Sequence, residues 1–314
     1  MANPYVFIVG CPRSGTTLLQ RIVNAHSQIA IMPESHWIPR LFDKRKGLTP
    51  EGLVTPELIP HLLAQPEFGG LHIDQGKLEA LLATRQPALY TDFVVGIFDQ
   101  YGETQGKALV GNKTPGFVRR LRTLHTLWPK ARFVHLIRDG RDVYLSILHR
   151  TLKNLKPGVF DTWKDDPATT AALWWELNVR SGRQAGNSFG PNVYYELRYE
   201  SLVTNPEEEC AALCDFLGLP FDDVMLRFHE GQTKPRAARP ITSGLRDWRS
   251  QMSAEDAKRF EAAAGELLNE LSYPRAFPHL PPERVEIASR IRDTWARDPR
   301  TRYGAERKEL RAHR

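Results

Sequence analysis

The sequence predicts an α/β protein in three layers, with a central mainly parallel sheet flanked by helices, and three observations lead there. Short apolar runs alternate along the chain with longer stretches whose apolar residues recur every three or four positions. The first of these runs feeds a turn bounded by Gly10 and Gly15, which opens directly into a helical pattern. Charged residues stand at the carboxyl ends of several runs, where ligands bind in open parallel sheets. Strand, glycine turn and helix in that order make the predicted fold P-loop-type, and alternating strands and helices argue for parallel crossovers. No internal repeat is visible.

Tyr5 to Val9 reads as the first strand. Thr16 to Ala25 follows as a helix, with Leu18, Leu19, Ile22 and Val23 at helical spacing. Ile29 to Met32 is the second strand, stopped by Pro33, with Glu34 just past its end. Residues 36–106 are broken by Pro39, Pro50, Pro56, Pro60, Pro66 and Pro87, which reads as a set of short helices, an elaboration that shapes an acceptor pocket. Ala108 to Gly111 is the third strand, ending at Lys113. Pro115 to Trp128 carries Phe117, Leu121, Leu124 and Leu127 on one helical side. Arg132 to Ile137 is the fourth strand, ending at Arg138, and Val143, Tyr144, Ile147 and Leu148 mark the helix after it. A helix at Asp166 to Gly182, a fifth strand at Val193 to Tyr199, and helices at Pro206 to Leu217 and Ala254 to Leu271 complete the reading. Residues 1–273 form the α/β domain and 274–314 a basic C-terminal extension. In that extension Ile287, Ile291 and Trp295 recur every four residues, so part of it reads as a helix packed on the domain or on a second copy in a homodimer.

The 314 residues are 41% hydrophobic and 25% charged, ordinary values that exclude wholesale disorder. The net charge is +6, but residues 275–314 alone hold ten Arg and one Lys against six acids. The domain itself is near neutral, so no nucleic-acid partner is expected. Cys11, Cys210 and Cys214 are odd in number and form no C-x-x-C pair, which predicts neither a zinc site nor a disulfide framework. MANPYVFIVG lacks the basic and long apolar regions of a signal peptide, and no apolar run reaches the ~18 residues that cross a bilayer. A cytoplasmic chain with no transmembrane segment is therefore expected.

The chemistry begins in Gly10-Cys-Pro-Arg-Ser-Gly15-Thr-Thr. With Gly15 at positive φ, successive N–H groups of Arg13, Ser14, Gly15, Thr16 and Thr17 converge on an anion at the positive end of a helix. Nucleoside triphosphatases place a lysine after the second glycine; here Thr16 stands there, and the nearest cation is Arg13. A second anion site forms where Arg138 ends its strand. Ser146 and Arg150, four residues apart on one helix face, reach the same point. Two linked anion sites imply a bisphosphorylated nucleotide. Arg141 and Asp142, between them, read as solvated surface charges.

PRSGTT resembles the 5′-phosphosulfate loop of sulfotransferases that use 3′-phosphoadenosine 5′-phosphosulfate (PAPS). FVHLIRDGRDVYLSILHR is similar to the strand and helix with which that family binds the 3′-phosphate, and the run PRSGTTLLQRIVNAHSQIAIMPESHWIPR resembles the tyrosylprotein type. The resemblance implies PAPS as co-substrate and no metal. It assigns nucleotide contacts to Arg13, Ser14, Gly15, Thr16, Thr17, Arg138, Ser146 and Arg150. Glu34 falls where the tyrosylprotein type has its catalytic base, and His36 is the rival because cytosolic sulfotransferases use a histidine. His26, at a helix end, and His135, inside a strand, read as capping and packing residues. VGNKTP is similar to the segment that offers a lysine to the leaving phosphate, which nominates Lys113; RYESLVTNPEEE resembles the strand end whose tyrosine meets the adenine, which nominates Tyr199. HEGQTKPRAARPITSGLRDW resembles the segment that closes over the nucleotide, placing Thr233 near the family's serine on the bridging oxygen and Arg239 among the nucleotide contacts. The similarity covers roughly residues 5–273 and is weakest through 36–106.

What the resemblance implies is sulfuryl transfer to the hydroxyl of a small molecule, lipid or peptide, leaving adenosine 3′,5′-bisphosphate. The tyrosylprotein type is membrane-anchored and luminal, so a secretory tyrosine acceptor is not expected here. Two alternatives differ in kind. A P-loop kinase acting on a small hydroxyl compound would use ATP, with Asp139 holding magnesium. A non-catalytic nucleotide-binding module would keep both anion sites and need neither Glu34 nor Lys113.

Overall fold

Val6–Gly10 forms β1, apolar throughout and buried on both faces, as the middle strand of a parallel sheet must be. The computed structural model describes residues 5–71, 73–82, 88–154, 160–230, 240–242, 244, 246–299 and 301, with the side chains of 81 and 150–154 outside that set. After β1 come α1 (Thr16–Ala25), β2 (Ile29–Met32), α2 (Trp37–Lys44), α3 (Leu58–Leu63), α4 (Gln75–Leu82), α5 (Tyr90–Gln105) and β3 (Leu109–Lys113). The second half adds α6 (Leu121–Leu127), β4 (Arg132–Ile137), α7 (Gly140–Asn154), α8 (Pro167–Gly186), β5 (Tyr194–Arg198), α9 (Tyr199–Thr204) and α10 (Pro206–Leu217). It closes with α11 (Trp248–Gln251), α12 (Ala254–Glu270) and α13 (Pro282–Ala296).

The strands lie in the order β2-β3-β1-β4-β5 and every pairing is parallel. The strand order reverses around β1, so the carboxyl ends of β1, β3 and β4 open a crevice. Alternation along β1 divides the core. Phe7 and Val9 join Phe133 and the inner faces of α5 and α6 in one apolar layer. Val6 and Ile8 join Val134, Leu136 and the apolar stripes of α1 and α10 in the other. A third cluster, built on Trp175 and Phe260, packs α7, α8 and α12 together.

Three features matter for the site, the second and third of which differ from the sequence reading. β3 runs on to Lys113 because Asn112 and Lys113 pair with Phe7 and Ile8 of β1. Backbone pairing thus carries the strand past the end of its apolar run, and Lys113 is a strand residue. The segment 115–128 starts as a tight 3₁₀ turn at Pro115–Arg120 before α6, consistent with the absent N–H of Pro115 at its first position. A short helix, α9, begins at Tyr199 itself, fixing that ring at the end of β5. Residues 36–71, 73–82 and 88–105 hold α2 to α5 with two isolated antiparallel bridges, Leu48 to Val54 and Leu53 to Leu89. In the C-terminal extension α13 lies on α8 and α12, with Ala288 and Trp295 buried.

Candidate active site

Gly10 and Gly15 both sit at positive φ, +156° and +98°. A Cβ on Gly15 would lie 2.6 Å from the Tyr199 ring, and one on Gly10 would lie 2.5 Å from the Leu136 carbonyl oxygen. The loop is thus pressed against β4 and α9, and only glycine fits at either end. Between them Arg13 adopts φ +81°, a region that costs a residue with a Cβ ~1 kcal/mol. It is held there by its Nε, which donates to Ser146 Oγ at 3.1 Å. The loop of β1 and the face of α7 are therefore joined through two of the residues expected to bind nucleotide. The first N–H groups of α1, from Thr16 and Thr17, have no intrahelical partner and point from the positive end of the helix. Ser14 is completely buried, and its Oγ has no hydrogen-bond partner among the described residues.

At the end of β4, the Arg138 guanidinium stacks 4.1 Å from the centre of the Tyr199 ring and lies 3.4 Å from Asp142 Oδ2. The Trp175 indole donates to the Arg138 carbonyl at 3.0 Å, anchoring the strand end. Arg138 Nε is buried and has no partner among the described residues. The orphaned Ser14 hydroxyl and the orphaned Arg138 guanidinium N–H are donors that an anionic nucleotide would satisfy. Asp142 accepts from the Trp248 backbone N–H through its other oxygen, at 2.9 Å. Its burial pushes the carboxyl up to about 6, against the pull of Arg138. The side chain of Arg150, and Thr233 and Arg239 altogether, lie outside the described residues.

Glu34 and Lys113 meet across the ends of β2 and β3. Lys113 Nζ donates to Glu34 Oε1 at 2.8 Å, and His36 Nε2 lies 3.1 Å from Glu34 Oε2. The lysine is nearly buried while the carboxylate and the imidazole keep almost half of their side-chain surface. The hydrogen bond from His36, with that from Lys113 and against the opposing effect of burial, holds the Glu34 carboxyl down at about 2. The two candidate bases therefore share one contact. His26 caps its helix end, accepting from Gln28 N–H at 3.0 Å through Nδ1 and reaching Pro220 O at 2.9 Å through Nε2. His135 is buried in β4, 2.6 Å from the Tyr194 hydroxyl, and burial followed by the nearby Arg183 pulls its pKa down to about 3.

Asp139, the residue that would hold magnesium in a kinase, is already engaged. Arg141 binds both of its oxygens, Nε at 3.0 Å and NH2 at 2.7 Å. Arg141 is itself completely buried and continues to Glu261 at 2.8 Å and to the Pro274 carbonyl at 2.9 Å. The reading of Arg141 and Asp142 as solvated charges is corrected accordingly. Among the described residues, no group of three or more His, Cys, Asp and Glu side chains is placed to hold a metal ion. Sequence reasoning gave no role to Asn112 and Thr114 and read Ser35 only as part of a changed acceptor site; all three are buried neighbours of Glu34 and Lys113. The available signal was an amide inside the apolar strand run that leads to Lys113.

Residues 4–223 match the model of the sulfotransferase family. Protein-tyrosine sulfotransferase A of Caenorhabditis elegans is 27% identical over 228 residues, 73% of this chain and 53% of that protein. Protein-tyrosine sulfotransferase 2 of Gallus gallus is 25% identical over 232 residues, 74% of this chain and 56% of that protein. The chain thus spans about half the length of these curated relatives. The solved sulfotransferase domain of the Synechococcus PCC 7002 olefin synthase has the same fold, with a TM-score of 0.60, 24% identity, and coverage of 89% of this chain and 96% of that one. With a glycine loop, a strand-end arginine and a carboxylate–lysine pair gathered at one edge of such a sheet, and the family match running through all of them, the chain belongs to the sulfotransferase family.

Proposed function

We propose that the chain transfers a sulfuryl group from PAPS to an acceptor hydroxyl, giving a sulfate ester and adenosine 3′,5′-bisphosphate. The observation that carries this reading is the Glu34–Lys113 pair, 2.8 Å apart, with Glu34 just past the end of β2 and Lys113 at the end of β3, the strand that pairs with β1. A module that only binds nucleotide has no use for a carboxylate and a lysine held together at the crevice. A kinase needs a magnesium ligand, and Asp139 is bound on both oxygens by Arg141.

In the reaction the acceptor oxygen forms a bond to sulfur as the bond from sulfur to the 5′-phosphate oxygen breaks, and the electron pair stays on that phosphate. Glu34 takes the hydroxyl proton. While Lys113 and His36 bind it, Glu34 is ionised at neutral pH but weakly basic. Turning Lys113 toward the leaving phosphate removes one of those partners and raises the proton affinity of Glu34. Lys113, Arg13 and the N–H groups from Gly15 to Thr17 stabilise charge on the sulfuryl oxygens and the departing phosphate. Arg138, Ser146 and Arg150 hold the 3′-phosphate, with Arg138 Nε as an unpaired donor, while the unpaired Ser14 hydroxyl belongs to the 5′-phosphosulfate loop. Tyr199 supports Arg138 and faces the adenine, while Thr233 serves the bridging oxygen and Arg239 the nucleotide.

The acceptor is a small molecule, a lipid or a peptide bearing a hydroxyl. A cytoplasmic setting belongs to the same reading and is supported by three buried cysteines that all remain free thiols. The test is transfer of ³⁵S from labelled PAPS to a panel made of a phenol, a tyrosine peptide and a long-chain primary alcohol, with wild type and Glu34→Gln side by side. Transfer to one class by the wild type, lost in Glu34→Gln with nucleotide binding intact, is the expected result. Equal transfer by both proteins would remove Glu34 as the base, and retained nucleotide binding without turnover would favour the binding module.

A further inference from the structure

Glu34 and Lys113 are each bracketed by side chains that bond across from one strand end to the other. Pro33 and Ser35 flank the carboxylate; Asn112 and Thr114 flank the lysine. Asn112 Nδ2 donates to the Pro33 carbonyl at 2.9 Å and to Ser35 Oγ at 3.0 Å. Ser35 Oγ donates in turn to the Pro33 carbonyl at 3.0 Å. Thr114 Oγ1 donates to Asn112 Oδ1 at 2.8 Å and accepts from the Ser35 backbone N–H at 2.9 Å. Each hydrogen has one place to go. Flipping the Asn112 amide would set its oxygen against the Pro33 carbonyl and its NH2 against the Thr114 hydroxyl hydrogen, so the ring admits one orientation.

Ser35, Asn112 and Thr114 are all completely buried, at 0% exposure. Burying three polar side chains at a strand end costs free energy that only a fully satisfied network offsets, and apolar residues fill the neighbouring positions Ile31, Met32 and Val110. The fold alone does not call for polar groups here. What the network does is fix residues 33–35 against residues 112–114, and the two side chains between them are the carboxylate and the lysine. A displacement of ~1 Å between reacting groups costs ~10²-fold in rate.

We infer that Asn112, Ser35 and Thr114 are positioning residues that set the spacing of Glu34 and Lys113 for sulfuryl transfer. The inference rests on the proposed function. Its test compares Thr114→Val, which keeps the shape and removes the hydroxyl, with Thr114→Ser, which keeps the hydroxyl, and with Asn112→Asp, which keeps the acceptor and removes both donated bonds. Turnover is read as release of adenosine 3′,5′-bisphosphate from PAPS, with water as acceptor where no alcohol improves on it. Affinity for adenosine 3′,5′-bisphosphate and Tm are read in parallel. In Thr114→Val and Asn112→Asp kcat falls by ~10- to 100-fold while the nucleotide Kd holds within about twofold, and Thr114→Ser stays within about threefold of wild type. Should Thr114→Val fail to fold, Ser35→Ala takes its place with the same expected split. Wild-type kcat in these variants overturns the inference, as does a loss that follows Tm and strikes Thr114→Ser equally. Glu34→Gln run alongside separates the two layers: an inactive Glu34→Gln beside a fully active Thr114→Val defeats the positioning role alone, whereas an active Glu34→Gln defeats the base assignment beneath it.

Discussion

Lys113 Nζ lies 2.8 Å from Glu34 Oε1 and is nearly buried, so the cation assigned to the leaving phosphate and the carboxylate assigned to the acceptor hydroxyl hold each other. This pairing predicts how Glu34 titrates. Its carboxyl is held at about 2 against an ordinary 4.5, chiefly by the His36 hydrogen bond and then by Lys113. A depressed carboxylate stabilises the fold above its unfolded value and loses that contribution as the pH falls through the window between the two. Carbon NMR of the Glu34 carboxyl is expected to show an ionised group down to pH 4 in the protein alone. With adenosine 3′,5′-bisphosphate bound, the midpoint moves upward as Lys113 turns to phosphate. An unchanged midpoint would mean that the lysine never leaves the carboxylate.

Lys113→Met keeps the length of the side chain and removes its charge. Turnover is expected to fall by ~10²- to 10³-fold, the usual consequence of losing one donor on developing charge. The Glu34 midpoint should rise in the same variant without any nucleotide, because one of the groups that depresses it is gone. Single-turnover rates and the NMR titration check the two halves separately.

Gly15→Ala places a methyl 2.6 Å from the Tyr199 ring at a φ of +98°. The ring must move or the loop must open, and the Arg138 guanidinium stacked on that ring moves with it. A loss of ~1–3 kcal/mol of stability is expected from the backbone strain. Thermal stabilisation by adenosine 3′,5′-bisphosphate should disappear as well, which a melting experiment with and without nucleotide reads in one plate.

Arg138 and Arg141, three residues apart, are expected to fail in opposite ways. Arg141→Leu leaves the Asp139 and Glu261 carboxylates buried without their shared cation and removes the guanidinium from the Trp248 ring 3.6 Å away. Breaking such a buried pair costs ~3–5 kcal/mol, so a denaturant midpoint should fall sharply. Arg138→Ala should melt closer to wild type and weaken nucleotide binding by ~10- to 100-fold, the worth of a charged hydrogen bond.

The contrast between these arginines shows what the sequence could and could not reveal. The loop from Gly10 to Gly15 and the apolar run of β1 were legible because their signals are local: two glycines that must take positive φ, and a run too short for a helix. Arg141 was misread because the Glu261 carboxylate that buries it stands on α12, and the Pro274 carbonyl comes from beyond that helix. No local pattern announces such a contact. Asn112 was overlooked for a related reason. Its significance lies in being opposite Pro33 and Ser35, which depends on how β2 registers against β3. Glu34 and Lys113 were legible as strand-end charges, but their direct contact follows only from that same register.

The most direct measurement is thermal stabilisation by adenosine 3′,5′-bisphosphate against ADP, each with and without magnesium, since a ligand at ~100 times its Kd adds ~2.7 kcal/mol. A shift that requires the 3′-phosphate and ignores magnesium is what the paired anion sites at Gly15 and Arg138 predict. A shift with ADP that appears only when magnesium is added would contradict it, and would return the chain to phosphoryl transfer.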